Sequence, residues 1–172
     1  MRMSEWMPPA PATIEAIVLK PEVVIAAPAW RRRLGAPVAF IRRVADAAHQ
    51  AAVADGATSL TGPVAVSMAD DAAIRGLNAS WRQKDKPTNV LSFPSAAGTG
   101  GDIMLALETI AAEADLQGKS FADHTAHLVA HGILHLMGYD HVRLGQARRM
   151  ERLERLVLAG LGIADPYVDN EG

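Results

Sequence analysis

Hydrophobic residues recur along this chain in two periods, one typical of helices and the other typical of strands. From residue 37 to about residue 54, apolar positions three and four residues apart predict an amphipathic helix that begins with proline. Short runs of aliphatic and β-branched residues between turn residues predict strands. On this basis we expect strands at 13–19, 64–68, 90–93 and 102–106.

Further helices are expected at 71–80, 108–116, 121–137 and 144–161. Asp70 and Asp71 are good caps for the first of these, and Ser120 with Asp123 forms a capping box before the third. Strands and helices are interspersed, which predicts an α+β fold: a single small domain with a sheet of about four strands packed with about five helices. The shape of 29–35 is not predicted, and the proline-rich residues 1–12 are expected to be a loose N-terminal arm.

Composition is typical of a globular protein and narrows the chemistry. The 172 residues are 49% hydrophobic and 21% charged, enough for one domain with a substantial core. Cysteine is absent, which excludes disulfides, thiolate ligands and a cysteine nucleophile. We find no signal peptide and no membrane span, and expect a cytoplasmic protein without a membrane partner. A net charge of −2 gives no general attraction to nucleic acid, so an RNA partner would need a local basic patch.

Five of the six histidines lie between residues 124 and 141. His131 and His135 are four residues apart and therefore share one face of the predicted helix. Gly138 is suited to end that helix, after which the chain can bring His141 back toward the pair. Three neutral imidazoles, with a fourth position left for water, are typical of catalytic zinc. We therefore predict a metal site on a buried helix and the turn after it, with one Zn²⁺ per chain and no organic cofactor.

His124 and His127 fall on the same side of this helix but are too far along it. His127 is eight residues from His135, or about 12 Å along the axis, which a single zinc cannot easily span. Three roles remain open for these two residues: groups behind the ligands, lining of the cleft, or hydrogen-bonded interior histidines. Asp140 could orient a ligand histidine or cap the turn.

The segment HGILHLMGYDH at 131–141 resembles the signature of the YbeY family of bacterial endoribonucleases. Residues 77–94 are similar to that family's second signature, and Gly101-Asp102-Ile103 and Asp165-Pro166-Tyr167 also fit its pattern. The resemblance runs in the same order over roughly residues 14 to 167. It predicts a single YbeY-like metal-dependent ribonuclease domain at 13–172.

The resemblance implies a zinc-dependent endoribonuclease that acts on single-stranded RNA, in maturation of the small-subunit rRNA 3′ end and in ribosome quality control. The partners it implies are ribosomal RNA and the ribosome or small-subunit proteins. The family's metal ligands correspond to His131, His135 and His141, and its characteristic arginine to Arg82. The family usually has aspartate at the position of Asn89, and an amide cannot serve as a carboxylate base.

Hydrolysis of a phosphodiester needs an activated nucleophile and neutralisation of charge at the phosphate. Zinc lowers the pKa of its bound water to about 7, and the planar guanidinium of Arg82 is suited to clamp phosphate oxygens. Lys84 and Lys86, on either side of Asp85, either contact the RNA backbone or belong to a solvated loop. No residue is identified as the general base.

Two other functions compete with this interpretation. The first is a ribosome-assembly factor with a structural zinc and little nuclease activity, which the motif alone does not exclude. The second is a zinc peptidase of the His-Glu-x-x-His type, whose base is the glutamate after the first histidine. That position is Gly132 here, and glycine cannot accept a proton.

Two groups of arginines are also interpreted. The arginines at 31–33 could contact RNA or a ribosomal protein. Those of the last helix form its solvent-facing side: Arg148, Arg149, Arg152 and Arg155.

Overall fold

The structure, a computed structural model, describes residues 16–82 and 88–168, apart from the side chains of Trp81 and Arg82. The predicted arm at 1–12 lies outside these ranges. The described elements are, in chain order, β1 (Glu22–Ile25), α1 (Ala29–Leu34), α2 (Pro37–Ala54), β2 (Val64–Ala69), α3 (Asp71–Arg82), β3 (Val90–Pro94), β4 (Gly101–Ala106), α4 (Leu107–Leu116), α5 (Phe121–Leu136) and α6 (Leu144–Gly160).

The four described strands form one mixed sheet in the order β1-β2-β4-β3. Strands β1, β2 and β4 run parallel, whereas β3 is antiparallel to β4 and lies at the edge. Val66 of β2 lies beside Val23 of β1 and Ile103 of β4, which defines the register of the three parallel strands. The predicted α+β fold with a sheet of four strands is therefore confirmed.

Helices cover both faces of this sheet. On one face, Val66 and Ile103 pack with Ile41 of α2 and Ile133 of α5, and all four side chains are almost completely buried. On the other face, the buried side chain of Ile74 attaches α3. Helix α6 packs outside α2 and α5. Helix α5, which carries the clustered histidines, is thus enclosed by the sheet and by four other helices, α1, α2, α4 and α6.

The segment at 29–35, whose shape the sequence does not predict, forms the short helix α1 around a buried tryptophan. The Trp30 side chain is completely buried, and its indole N–H donates to the carbonyl of Ala69 at 2.9 Å. Its ring lies 5.3 Å from that of Phe121. These tertiary contacts stabilise a helix that the pattern does not predict. The described residues therefore contain six helices, one more than expected.

The strand predicted at 13–19 is wrong where the structure describes it, because residues 16–19 are not in the sheet. The backbone there is bound by side chains of α2: the Leu19 N–H donates to Asp46 Oδ1, and the Ile17 carbonyl accepts from Gln50 Nε2. The first strand is Glu22–Ile25, which pairs with β2. The apolar run at 16–19 therefore attaches to helix α2 and not to the sheet.

Across residues 16–82 and 88–168, no helix combines the length and the apolar character needed to cross a bilayer.

Candidate metal centre

Helix α5 has well-defined ends that fix the turn after it. At its start, Ser120 Oγ accepts a hydrogen bond from the Asp123 N–H at 3.0 Å, as the predicted cap requires. At its end, Gly138 has a φ of 92°, a conformation that glycine adopts most readily. The N–H of Gly138 donates to His135 O and that of Tyr139 to Leu134 O, which is the hydrogen-bond pattern of a Schellman motif. The chain is thereby turned back toward the helix.

This turn brings the three predicted histidines together. His131, His135 and His141 each offer a ring nitrogen, and these nitrogens lie within 4.8 Å of one another. The His131 and His135 Nε2 atoms are 3.0 Å apart. His141, from the turn, has its ring centroid 5.2 Å from that of His135. The described residues therefore contain one cluster that could hold a metal ion, and it consists of imidazoles alone.

The chemistry of this donor set fits a divalent metal such as zinc. Two nitrogens bound to one tetrahedral zinc, each at about 2.1 Å, would be about 3.4 Å apart, close to the spacing of the His131 and His135 nitrogens. Burial, with the neighbouring rings of His131 and His141, lowers the pKa of His135. A lower pKa favours the neutral ring, which is the form that binds metal.

A buried carboxylate orients the first histidine. Glu154 of α6 has no solvent exposure, and its Oε1 lies 2.5 Å from His131 Nδ1. Its Oε2 lies 3.0 Å from His127 Nε2 and also accepts a hydrogen bond from the Tyr167 hydroxyl. With Nδ1 bound to Glu154, the Nε2 atom of His131 remains free for a metal. A carboxylate behind a ligand histidine is common in metal sites.

Burial and hydrogen bonding act in opposite directions on Glu154. Burial raises the pKa of its carboxyl, but hydrogen bonds from His127 and His131 outweigh burial and lower the pKa to about 2. Burial and the Glu154 carboxylate together raise the pKa of the Tyr167 hydroxyl. Glu154 is therefore ionised and acts as an acceptor for all three neighbours.

A second carboxylate network joins α5 to the start of β3. His124 Nε2 lies 2.7 Å from Glu113 Oε2, and the Asn89 amide donates to the same carboxylate at 3.0 and 3.3 Å. Burial lowers the pKa of His124, and its hydrogen bond to the Glu113 carboxylate opposes this effect. Three roles were left open for His124 and His127, and both residues have the role of hydrogen-bonded interior histidines. His127 also contacts Glu154, the carboxylate behind His131.

The cluster opens into a cleft whose other wall is the edge strand. Its lining comprises the whole run from Thr88 to Pro94 together with His131, His135 and His141. The volume is about 480 Å³, within the range of ligand sites. This described lining contains no aspartate or glutamate, and Asn89 contributes an amide.

Gly132 and Asp140, the neighbours of two cluster histidines, have structural roles. A Cβ atom at Gly132 would lie 3.0 Å from Ile103 Cδ1, so the position faces β4 rather than the cleft. A glutamate there could not serve as a base without displacing the core. Asp140 Oδ1 accepts from the His141 N–H at 2.7 Å, so of its two predicted roles it performs the cap.

The basic residues predicted to contact RNA are described only in part. Lys84 and Lys86 lie outside the described residues, and so does the side chain of Arg82, whose backbone ends α3. The arginines at 31–33 are exposed, and Arg33 lies over the Phe121 ring. The arginines of α6 are largely exposed as predicted, but three of them also form ion pairs: Arg149 and Arg152 with Asp55, and Arg155 with Asp165.

The sequence pattern does not single out Glu154 or Glu113 as part of the site. A signal for Glu154 exists, since it falls beside Leu153 on the inward side of the predicted last helix, where an acidic residue is unexpected. Glu113 carries no comparable signal. Its partners, Asn89 and His124, are 24 and 11 residues away along the chain.

The chain that carries this site matches a known protein family. The profile of the family described as "Endoribonuclease YbeY" matches residues 36–162, a range that includes all three histidines of the cluster. The chain belongs to the YbeY family. Its relatives include proteins named "Endoribonuclease YbeY" from Nitrobacter winogradskyi (45% identity; 87% of this chain and 83% of that protein), Rhodopseudomonas palustris strain BisB18 (41%; 98% of both) and Paramagnetospirillum magneticum (46%; 88% and 97%).

A solved structure has the same fold as this YbeY-family chain. The solution structure of TM1509 from Thermotoga maritima aligns with a TM-score of 0.52 at 21% identity, covering 82% of this chain and 91% of that protein. At this level of identity the comparison supports the fold alone.

Proposed function

We propose that this protein is a zinc-dependent endoribonuclease that cleaves single-stranded RNA and acts in the cytoplasm on ribosomal RNA, in small-subunit 3′-end maturation and ribosome quality control. One observation carries the proposal. Three imidazole nitrogens within 4.8 Å of one another line a cleft in a chain that belongs to the family named for an endoribonuclease. The ribosome or small-subunit proteins are the proposed partners.

The residues of the cluster would hold and orient the metal. His131, His135 and His141 would be its protein ligands, and Glu154 would keep the proton of His131 on Nδ1 so that Nε2 can bind. Zinc bound there would supply Lewis-acid chemistry, lowering the pKa of a water molecule and polarising a phosphate oxygen.

Charge on the phosphate requires a cation from the protein as well. We assign this role to Arg82, whose planar guanidinium can donate two parallel hydrogen bonds to non-bridging oxygens. Lys84 and Lys86 would contact the RNA backbone. If Arg82→Ala retained full activity in folded, zinc-loaded protein, this assignment would be wrong.

The decisive experiment pairs elemental analysis with RNA cleavage by the wild type and by His135→Ala. We expect close to one zinc per wild-type chain and cleavage of an unstructured RNA that is lost in the variant. A matched control is Gln146→Ala, an exposed position on the first turn of α6, prepared in parallel. Circular dichroism would establish that each variant is folded.

Two results would contradict the proposal. Equal cleavage by wild type and His135→Ala would mean that a contaminating nuclease produced the signal. Stoichiometric zinc without any cleavage by the wild type would favour an assembly factor with a structural metal.

A further inference from the structure

The edge strand β3 presents part of its backbone to the histidine cleft. In the sheet order β1-β2-β4-β3 of the residues that the structure describes, only one side of β3 is paired. Successive side chains of a strand point to opposite faces of the sheet, yet every residue from Thr88 to Pro94 lines the cleft with the three histidines. The unpaired edge of β3 therefore runs along the cleft.

The hydrogen bonds at the two ends of β3 identify the residues that face this edge. The Ala106 N–H donates to Asn89 O, and the Ser95 N–H donates to Gly100 O. In an antiparallel pair, alternate residues direct both N–H and C=O to the partner strand. With the continuous register of β3 and β4, residues 89, 91, 93 and 95 face β4. Val90, Ser92 and Pro94 accordingly direct their backbone groups to the cleft.

Among the described residues, the open edge of β3 has a single available donor. The Val90 N–H is already bound by its neighbour, since it donates to Asn89 Oδ1 at 2.7 Å, and Pro94 has no N–H. Within residues 16–82 and 88–168, no hydrogen bond is found to the Ser92 N–H or C=O. Ser92 thus offers one donor and one acceptor, side by side, on the wall of the cleft.

We propose that the backbone N–H and C=O of Ser92 bind the Watson–Crick edge of an unpaired nucleobase next to the histidine cluster. Each of the four RNA bases has an adjacent donor and acceptor on that edge, so the contact would tolerate different sequences. It would exclude paired bases, whose Watson–Crick edges are occupied. Unpaired bases are commonly recognised through this edge. The inference rests on the proposed function and explains why the substrate would be single-stranded.

An extended peptide is the other ligand that an edge strand can bind. A peptide strand needs alternating donors and acceptors along several residues. Here the Val90 donor is bound by Asn89 and Pro94 has none, so one donor remains for the length of the strand. The edge is therefore poorly suited to continue a sheet and is sufficient for one base.

Proline at position 92 removes the proposed donor and spares the sheet. Because the Ser92 N–H points away from β4, Ser92→Pro breaks no bond of the ladder, and proline is tolerated at such edge positions. Ser92→Ala keeps the N–H and removes the hydroxyl, so it measures what the side chain contributes. Cleavage would be followed as kcat/KM on oligouridine and on the same RNA built from 3-methyluridine, whose Watson–Crick donor is blocked.

We expect Ser92→Pro to lose about tenfold more kcat/KM on oligouridine than Ser92→Ala, as the loss of one or two hydrogen bonds predicts. For the wild type, kcat/KM should be lower by a similar factor on the methylated RNA than on oligouridine. For Ser92→Pro, kcat/KM should be nearly the same on the two RNAs. Equal losses in the two variants, or equal cleavage of both RNAs by the wild type, would overturn the inference and leave the nuclease function intact. If Ser92→Pro did not fold, the wild-type comparison of the two RNAs would decide.

Two other outcomes also count against it. An extended valine-threonine peptide that competed with oligouridine in the wild type but not in Ser92→Pro would identify a peptide-binding edge instead. If the zinc-loaded wild type cleaved neither RNA above the His135→Ala background, the proposed function itself would fail, and the inference with it.

Discussion

Glu154 shows how a single residue can organise a site from outside the cleft. A fully buried carboxylate is costly unless its oxygens are hydrogen-bonded, and here three donors, His127, His131 and Tyr167, meet both oxygens. The same contacts fix which nitrogen of His131 is available to a metal. Interior stability and ligand orientation therefore depend on the same side chain.

Replacing this carboxylate by an amide should weaken metal binding. In Glu154→Gln the amide NH₂ would face either His131 Nδ1, which would lose its acceptor, or the pair formed by His127 and Tyr167, which would both lose theirs. We expect zinc affinity to fall about 10- to 100-fold. The measurement is competition for zinc with a chromophoric chelator, and thermal unfolding of the metal-free protein would report any loss of stability separately.

Glu151→Gln provides a matched control, since it makes the same change one turn earlier on α6 at a partly exposed position. If both variants bound zinc as tightly as the wild type, Glu154 would have no orienting role.

Glycine is required at position 101 at the start of β4, but it is not required at position 76 in α3. Gly101 has a φ of 148°, and a Cβ there would lie 2.3 Å from Phe93 O and 2.8 Å from Leu136 Cδ2. We expect Gly101→Ala to reduce the free energy of unfolding by more than about 2 kcal/mol. Gly76→Ala, in α3 with open space around it, should instead stabilise by about 0.5–1 kcal/mol. Urea unfolding of both variants tests the contrast, and similar effects would contradict it.

At the scale of elements, the junction of β3, α4 and α5 depends on the pair Asn89–Glu113. The Asn89 amide donates to Glu113, its Oδ1 accepts from the Val90 N–H, and its carbonyl accepts from the Ala106 N–H. One side chain and its backbone thus join the start of the edge strand to β4 and α4. Asn89 matters for the histidine cleft because β3, whose start it holds in place, forms the second wall of that cleft.

A carboxylate at this junction should be tolerated only if its neighbour is neutral. Asn89→Asp would place two carboxylates in contact, and we expect a loss of about 1–3 kcal/mol in the free energy of unfolding. Adding Glu113→Gln replaces the lost amide donor, so the double variant should be more stable than Asn89→Asp alone. A double-mutant cycle by urea unfolding measures this coupling. Simple additivity of the two changes would argue against the pair.

Local patterns and long-range contacts account for different parts of this fold. The histidine cluster follows from the sequence because its ligands lie within eleven residues of one helix and its turn, where helical periodicity and Gly138 determine the geometry. Glu154 and Glu113 reach the site only through the packing of other helices, which periodicity does not encode. The strand predicted at 13–19 is wrong for the same reason, because the position of β1 depends on its pairing with β2.

At the scale of the whole molecule, the C-terminal end of α2 is joined to α6 and to the turn that carries His141. Asp55 accepts hydrogen bonds from Arg149 and Arg152 of α6 and from the Tyr139 hydroxyl, all at 2.7–2.8 Å. Arg149 also lies over the Tyr139 ring, 5.5 Å from its centroid. The contact is long-range, and it connects two of the helices that pack against α5, namely α2 and α6.

This cluster should contribute stability that disappears in acid. Hydrogen bonds from Arg152 and Tyr139 lower the pKa of Asp55 from 3.8 to about 2, although burial opposes them. Because the pKa of Asp55 is lower in the folded than in the unfolded protein, its contribution to stability is complete above about pH 4 and is lost as the pH falls toward 2.

We expect Asp55→Asn to be less stable than the wild type by about 1 kcal/mol at neutral pH, a small difference because the arginines are solvent-exposed. Near pH 2 its stability should approach that of the wild type. Urea unfolding across this pH range tests the expectation. Asp115→Asn, the same change at an exposed position at the end of α4, is the matched control. A constant difference between Asp55→Asn and the wild type at every pH would show that the Asp55 charge does not contribute.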